Sequence, residues 1–428
     1  MAAQYKIAKP AVKEPKGHAV RPLNNLLIMA IISVFQIMTG LTMVFHGEET
    51  NLQFAQIMAA FIVVEWCYVL IFMGALHRKN FELEFIAFFL CGTGLVAIAS
   101  VNPKLVLNQF IAILIGMVIY IVMMFMLGNL EFCMKLRVPA AVCAVGLLAV
   151  NLLIAKTTHG ARNWIDLGFI TIQPSELVKV VFIFVGASTL EKIQTSKNMW
   201  AYLFFACTCV GSLFLMKDFG TALIFFFTFL IIAFMNSGDI RTIIYSCTAG
   251  ILGALMIIKF KPHVTSRFKA YRHVWEYSTE AGGYQQTRVL IGMASGGLFG
   301  VGIGSGYIKN VFAASNDLIF GVICEEWGFL FGVLLVLSLV AILVSALLNS
   351  TASRSTFYSI AACAGAGLLL FQGCLNIFGI TDILPLTGVT LPFVSQGGSS
   401  MMCCWGILAL IKASDVRTYN YLGGVVKK

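Results

Sequence analysis

Acidic residues are scarce in this chain, 19 Asp and Glu among 428 residues, so where they stand is informative. Two of them, Glu276 and Glu280, share the stretch SRFKAYRHVWEYSTEAGGYQQTR (266–288) with Arg267, Lys269, Arg272, Arg288 and Trp275. Guanidinium forks and ammonium point charges suit phosphate oxygens, and a carboxylate among them can serve as a general base. The pattern therefore fits an anionic ligand carrying phosphate or pyrophosphate. A solvated loop that tolerates any charge is the plainer alternative.

Other polar groups stand where apolar residues dominate. HGARNWIDLGFITIQPSELVK (159–179) holds Arg162, Trp164 and Asp166, and then Pro174-Ser175, a dipeptide suited to opening a helix. Glu176 and Lys179, three residues apart, would share one face of that helix as an ion pair. Asp218 precedes FGTALIFF and reads as a turn and helix cap. Asn316-Asp317 lead into a span holding Glu325-Glu326, whose expected role is buried pairing with Arg or Lys from another span. Glu65 invites the same reading, or a single hydrogen-bond partner near mid-helix. PLTGVTLPFVSQGGSSMM (385–402) has two prolines, three glycines and three serines. Its backbone is expected to be non-helical at membrane depth, buried in protein and lining an outward cavity. IGMASGGLFGVGIGSGYI (291–308) reads as a re-entrant or interfacial segment. It lacks the Gly-Lys-Ser/Thr of a phosphate loop and the glycine spacing of a dinucleotide site.

The elements that must position these groups are membrane helices. The chain is 59% hydrophobic and 11% charged, with mean hydropathy +0.90, against about 25% charged residues in soluble domains. Runs near the ~20 residues needed to cross a bilayer recur. Twelve spans are expected, at 24–46, 54–75, 84–101, 109–128, 138–155, 175–190, 199–216, 219–236, 241–259, 318–347, 356–377 and 393–412. The fold class is an all-α polytopic membrane bundle. Residues 1–23 are polar and basic without a cleavage-site pattern, so the first span is expected to persist as an anchor. Lys6, Lys9, Lys13, Lys16 and Arg21 place the N-terminus in the cytoplasm, and an even span count returns Arg417, Lys427 and Lys428 to the same side. Arg78-Lys79, Lys135, Arg137, Lys192, Lys197, Arg241 and Arg354 fall on cytoplasmic connections, leaving 260–317 as the long outer loop. The twelve cysteines suggest no disulfide framework and no zinc site, and no basic run implies nucleic acid.

Four segments together resemble the SEDS family (shape, elongation, division and sporulation; FtsW, RodA and SpoVE). GARNWIDLGFITIQPSELVK is similar to that family's Arg-Trp-Ile loop and Gln-Pro-Ser-Glu helix start, and DFGTALIFF to its Asp-Leu-Gly-Thr-Ala element. SNDLIFGVICEEWGFLFG resembles its Thr-Asp-Phe…Glu-Glu-x-Gly segment, and NIFGITDILPLTGVTLPFVSQGGSS its Leu-Pro-Leu-Thr-Gly…Leu-Pro-Phe-x-Ser-x-Gly-Gly-Ser stretch. The motifs run in family order over about 83–413. The resemblance implies a ten-helix core at 83–413, preceded here by a tail at 1–23 and an additional hairpin at 24–82, and followed by a cytoplasmic tail at 414–428. It implies a glycosyltransferase of the bacterial cytoplasmic membrane that polymerises lipid II, an undecaprenyl-pyrophosphate-linked substrate, beside a class B penicillin-binding protein. No cofactor follows, and whether Mg²⁺ or Mn²⁺ takes part stays open.

Carried onto this chain, the resemblance and the basic loop make Arg162, Trp164, Glu176, Lys179, Gln285 and Asp317 substrate-binding candidates. Arg267, Lys269, Arg272 and Arg288 join them from the loop, and Ser395, Gly397, Gly398 and Ser399 from the last motif. Two departures stand out. Asn163 replaces the family's Arg before Trp164. The family's catalytic aspartate, in Trp-x-Asp-Pro-x-Gly-x-Gly-Tyr-Gln, meets Tyr277 counting from Trp275 and Ser278 counting back from Tyr284. An active enzyme would use Glu276 or Glu280 instead. A scaffold or regulator of a penicillin-binding protein, or a flippase of lipid-linked precursor, are the alternatives.

Overall fold

A computed structural model describes residues 24–46, 51–158, 161–166, 171–191, 196–241, 243–248, 250, 271–279 and 283–420. It is a bundle of long apolar helices: α1 Asn25–Val44, α2 Leu52–Gly74, α3 Glu82–Val101, α4 Val106–Met126, α5 Leu130–Ile154, α6 Pro174–Glu191, α7 Ser196–Leu215 and α8 Phe219–Ser237. After the outer loop come α9 Tyr284–Gly296, α10 Ile319–Trp327, α11 Phe329–Ser350, α12 Thr356–Ile380, α13 Gly398–Lys412 and the short α14 Val416–Asn420. Eight of these are long and apolar enough to cross a membrane, and α13 and residues 200–215 are shorter apolar helices. The expected ninth span begins as helix at 240–241, 243–248 and 250, and residues 251–259 lie outside the described residues.

Helix α13 is the axis of the bundle. It packs on α4, α6 and α12, and nearly all its residues are buried. Most of α3 and α12 is likewise enclosed, whereas α5 and α11 face outward over most of their length. That outer face carries Leu153, Val142 and Leu348, as a lipid-facing surface requires. Without a hydrophobic force between helices in lipid, close approach depends on small residues. At Gly116 of α4 an added Cβ would lie 2.5 Å from the Trp405 ring of α13.

One expectation about the spans needs correction. The single span at 318–347 is two helices, because Gly328 takes φ +89°, a left-handed conformation that favours glycine, and breaks the run between α10 and α11. The connection between α5 and α6 forms a small antiparallel sheet in the order β1 Lys156–Thr158, β2 Ala161–Asp166 and β3 Thr171–Ile172. Its register pairs Lys156 with Trp164 and Ile165 with Ile172. The signal was there in Thr157-Thr158 and in the Trp164-Ile165 run after His159-Gly160, a strand–turn–strand composition.

The α1–α2 hairpin packs on α3, and α2 also on α4. Glu65 of α2 accepts a hydrogen bond from Gln36 Nε2 of α1 at 2.9 Å, and Trp66 Nε1 donates to Ser33 Oγ at 2.9 Å. Glu65 thus has the single partner that was one of its two expected readings. Helix connections sort to two ends. Residues 77–80, 127–129, 351–355 and 412–420 meet at one end. The sheet, Asp218, 271–279, 297–317 and 381–397 occupy the other.

Candidate active site

Helix α6 starts where its sequence predicts, with Pro174 as its first residue and the Glu176 N–H bonded to the Gln173 carbonyl at 3.0 Å. One turn on, Lys179 is completely buried and donates to Glu176 Oε1 at 2.7 Å. It also donates to Gln372 Oε1 of α12 at 2.8 Å. Gln372 Nε2 in turn donates to the Thr390 carbonyl at 2.9 Å, and the Thr390 and Ser400 hydroxyls are 2.7 Å apart. A charged pair taken out of water persists only when its remaining hydrogen-bonding capacity is met. This chain of groups does that for the lysine and ties three helices to the non-helical 381–397 segment.

Asp218 is the N-cap of α8, its Oδ1 accepting from the Thr221 N–H at 3.2 Å, as expected. Its Oδ2 accepts from Asn163 Nδ2 of β2 and from Gln173 Nε2, both at 3.0 Å. The Gln173 N–H reaches Ser399 Oγ at 3.3 Å. Asn163, the departure from the family's arginine, therefore reads as a neutral donor to a capping carboxylate.

The non-helical segment runs over 381–397, so residues 398–402 of the expected 385–402 stretch belong to α13; it is enclosed from Val389 to Gly397, while Ile383 and Gly388 are exposed. Ser395 Oγ donates to the Asn316 carbonyl at 2.6 Å and accepts from the Leu391 N–H at 2.8 Å. Gln109 spans the last turn, donating to the Ser395 carbonyl and accepting from the Gly397 N–H, both at 3.1 Å. Asn376 Nδ2 donates to the carbonyls of Asp317 and Val389 at 2.8 and 2.6 Å. The Asp317 carboxyl lies beside Gly388, whose φ of +71° brings the backbone close. The hydrogen-bonding groups of Ser395, Gly397 and Ser399 are engaged within the protein, where they shape the floor of this end.

Above that floor sits the turn 271–279. Tyr271 OH donates to the Ile383 carbonyl at 2.9 Å, the Arg272 N–H to Asp382 Oδ1 at 3.2 Å, and Val274 is buried. Glu276 is 71% exposed and lies 3.2 Å from His273 Nδ1 one helical turn back. Tyr277 and Ser278, at the family's aspartate position, are half-buried. Beyond the turn, Gln285 donates to the Phe312 carbonyl at 3.0 Å, and the Arg288 guanidinium stacks 5.2 Å from the Tyr284 ring. Arg272 stacks on Tyr271.

The structure thus gathers Glu176, Lys179 and Ser399 around the 381–397 segment, with Asp317 beside Gly388 and Arg272 and Glu276 on the turn bonded to Asp382 and Ile383. Trp164 is half-buried on β2, and Arg162 lies on the same strand. Gly398 opens α13. Glu280, Arg267 and Lys269 lie outside the described residues. The expectation for Glu325-Glu326 fails. Among the described residues neither pairs with a cation from another span. Glu325 accepts from the N–H groups of Tyr307 and Ile308 at 2.9 and 2.8 Å, and Glu326 from the Ser100 hydroxyl. Backbone donors of the glycine-rich 297–308 segment, left without helix partners, need these acceptors, and the carboxylates supply them. Among the described residues no group of three or more His, Cys, Asp or Glu side chains gathers as a metal site. Sequence reading missed Gln109, Gln372 and Asn376. Their signal was an amide inside an apolar helix, a costly residue in lipid unless partnered.

The family model of the FtsW, RodA and SpoVE cell cycle proteins matches residues 85–419. The "Probable peptidoglycan glycosyltransferase FtsW" of Buchnera aphidicola (subsp. Acyrthosiphon pisum) is 31% identical over 271 residues, 61% of this chain and 68% of that one. The protein of the same name from Coxiella burnetii is 33% identical over 286 residues, 63% of this chain and 76% of its own. In structure, the bundle is similar to a chain of a peptidoglycan synthase complex, with TM-score 0.65 and 25% identity, covering 78% of this chain and 97% of that one. It is also similar to the rod shape determining protein RodA of Thermus thermophilus, with TM-score 0.60 and 25% identity, covering 78% and 95%. With a match across most of its length and the same helical bundle, the chain belongs to the FtsW/RodA/SpoVE family of cell cycle proteins, the SEDS proteins.

Proposed function

We propose that the chain is a peptidoglycan glycosyltransferase of the bacterial membrane, polymerising lipid II at the end of the bundle that holds the sheet and the 381–397 segment. The observation that carries this reading is the buried Glu176–Lys179 pair, linked through Gln372 to a polar, non-helical segment at membrane depth. Such groups are retained in lipid where a polar substrate has to be met. In this orientation the end with Arg78, Arg354 and Lys412 faces the cytoplasm together with both termini, as positive charge favours.

The chemistry follows from an oxocarbenium-like centre and an anionic leaving group. A carboxylate takes the proton of an acceptor sugar hydroxyl as its oxygen bonds to the anomeric carbon of the donor. The bond from that carbon to the pyrophosphate oxygen breaks, and its electron pair leaves with the lipid pyrophosphate. Arg272 and Arg288, with Arg267 and Lys269 from the same loop, supply charge to that leaving group. Glu276 or Glu280 supplies the base where Tyr277 or Ser278 replaces the family's aspartate. A transpeptidase, a class B penicillin-binding protein, is the partner that would crosslink the product.

One observation favours a second reading. The absent aspartate fits a member that has given up polymerisation and acts as a scaffold for its transpeptidase. The experiment is lipid II polymerisation by the purified protein with that partner, comparing wild type with Glu276→Ala and Glu280→Ala. Polymer from wild type that is lost in one variant supports the substituted base. Activity that survives both changes removes Glu276 and Glu280 from the chemistry. No polymer, with the partner still bound, establishes the scaffold, and transport of lipid-linked precursor without polymer establishes a flippase.

A further inference from the structure

Asp382 breaks two local rules at once. Helix α12 ends at Ile380 in a reversed cap in which the Ile383 N–H returns to the Phe378 carbonyl at 3.0 Å. That cap needs its second residue past the helix in the left-handed region, a place glycine fills without steric cost. Asp382 fills it here with φ +59°. A carboxylate at a helix C-terminus also meets the negative end of the helix dipole. A residue placed against both conformation and charge is retained for some other interaction.

That interaction is with the turn above it. Asp382 Oδ1 accepts the Arg272 N–H at 3.2 Å, and Arg272 is itself at φ +61°, a conformation its side chain disfavours. The neighbouring Tyr271 hydroxyl bonds the Ile383 carbonyl at 2.9 Å. Two strained residues from segments 110 positions apart therefore meet at one hydrogen bond. Beyond them Val274 is buried, while His273, Trp275 and Glu276 project outward. We infer that Asp382 is a positioning residue: it latches the turn 271–279, and with it Glu276, onto the 381–397 segment. Because no aspartate stands within the turn at the family's position, the reach of Glu276 toward a substrate is set by how the turn is held. The inference rests on the glycosyltransferase reading for its effect on rate, and on structure alone for the latch.

Three variants separate the latch from the helix cap and from chemistry. Asp382→Gly removes the carboxylate but suits the left-handed cap, so the bundle's thermal midpoint does not fall. Asp382→Ala removes the carboxylate without that relief. Asp382→Asn keeps an acceptor oxygen and tolerates the left-handed backbone while losing the charge. Hydrogen exchange of peptides covering 271–279 in reconstituted protein is expected to speed by about fivefold to tenfold in the Gly and Ala variants, and to stay near wild type in Asn. Lipid II polymerisation is expected to lose about tenfold in kcat with little change in KM in Gly and Ala, and Asn restores it. Unchanged exchange in Gly and Ala overturns the latch. An Asn variant as slow as Ala, with its turn still protected, overturns positioning and makes the Asp382 carboxylate itself a reactant. If wild type makes no polymer the enzyme reading fails, and the exchange measurement alone still decides the latch.

Discussion

The two ends of the bundle both collect charge from distant parts of the chain, and they use it in opposite ways. At the end with the chain's outgoing helix, Arg78 is buried against Glu84, Tyr68 and the Asn80 carbonyl, and Lys412 lies 3.4 Å from Glu84. Asn80 reaches Asp415 and Thr418, and Arg417 bridges Asp415 and Glu82. Glu84 also accepts from Tyr120 at 2.5 Å. Each charge there meets more than one partner within the protein; Glu84 Oε2 makes no hydrogen bond among the described residues but lies 3.4 Å from Lys412 Nζ. At the other end Lys179 has one acid partner, Glu176, and one amide partner, Gln372; Glu176 Oε2 has no hydrogen-bond partner among the described residues, and Glu276 is open to solvent. A redundant cluster whose inner members Arg78, Glu84, Lys412 and Asp415 are buried, with Arg417 and Glu82 at its rim, serves as a fastening. A sparse set with open valences leaves capacity for a ligand.

The largest test of that contrast is Lys179→Met. Its loss strands Glu176 in a buried setting with no second cation, and breaking a buried pair this way costs about 3–5 kcal/mol. The expected result is a strongly lowered thermal midpoint in detergent or lipid nanodiscs. Glu176→Gln added to it should recover most of the loss, because the stranded charge is gone. A midpoint unmoved by Lys179→Met would mean the pair is not fully desolvated.

Arg78→Met sharpens the contrast from the other side. Glu84 keeps Lys412, Tyr68 and Tyr120, so the cost should be smaller, about 1–3 kcal/mol, although Arg78 makes more bonds than Lys179. Ranking the two midpoints measures redundancy directly. If Arg78→Met proved the more damaging, the fastened end would depend on one residue, and the contrast drawn above would be wrong.

How far the sequence reaches differs between the ends in the same way. Local rules were enough for Pro174 opening α6, for the i,i+3 pair of Glu176 and Lys179, for Asp218 as a cap and for the broken segment before α13. Each depends on residues within a turn or two. Arg78 read simply as a positive charge on a loop. Its burial depends on Glu84 and on Asn80 meeting the 412–418 segment more than 330 positions away. Glu325 was misassigned for a related reason: its partners are backbone N–H groups, which every sequence contains and none advertises. Asp382 could not be read at all, since a left-handed φ at an aspartate is visible only in three dimensions. Glu65, by contrast, was readable as a costly residue in lipid, and Gln36 is the partner that cost demands.

The smallest effect expected is at the fastened end, on acidification. Burial pushes the Asp415 carboxyl up, but the hydrogen bonds of Arg417 and the charge of Lys412 outweigh it and hold the group below the usual carboxylate range. A carboxyl depressed in the folded state stabilises fully above its unfolded value, about 4, and that stabilisation is lost as pH falls through the lower folded value. Between pH 7 and about 4, then, the 413–420 segment should stay docked, and below that its exchange should quicken. Asp415→Asn removes the carboxyl and should abolish this local acid response. The substitution keeps an oxygen that can accept from Arg417 and Asn80, so the docking loss at neutral pH should be modest. A wild-type segment that loosens already at pH 6 would show that the cluster is less closed than its geometry, and would bring the two ends closer in character.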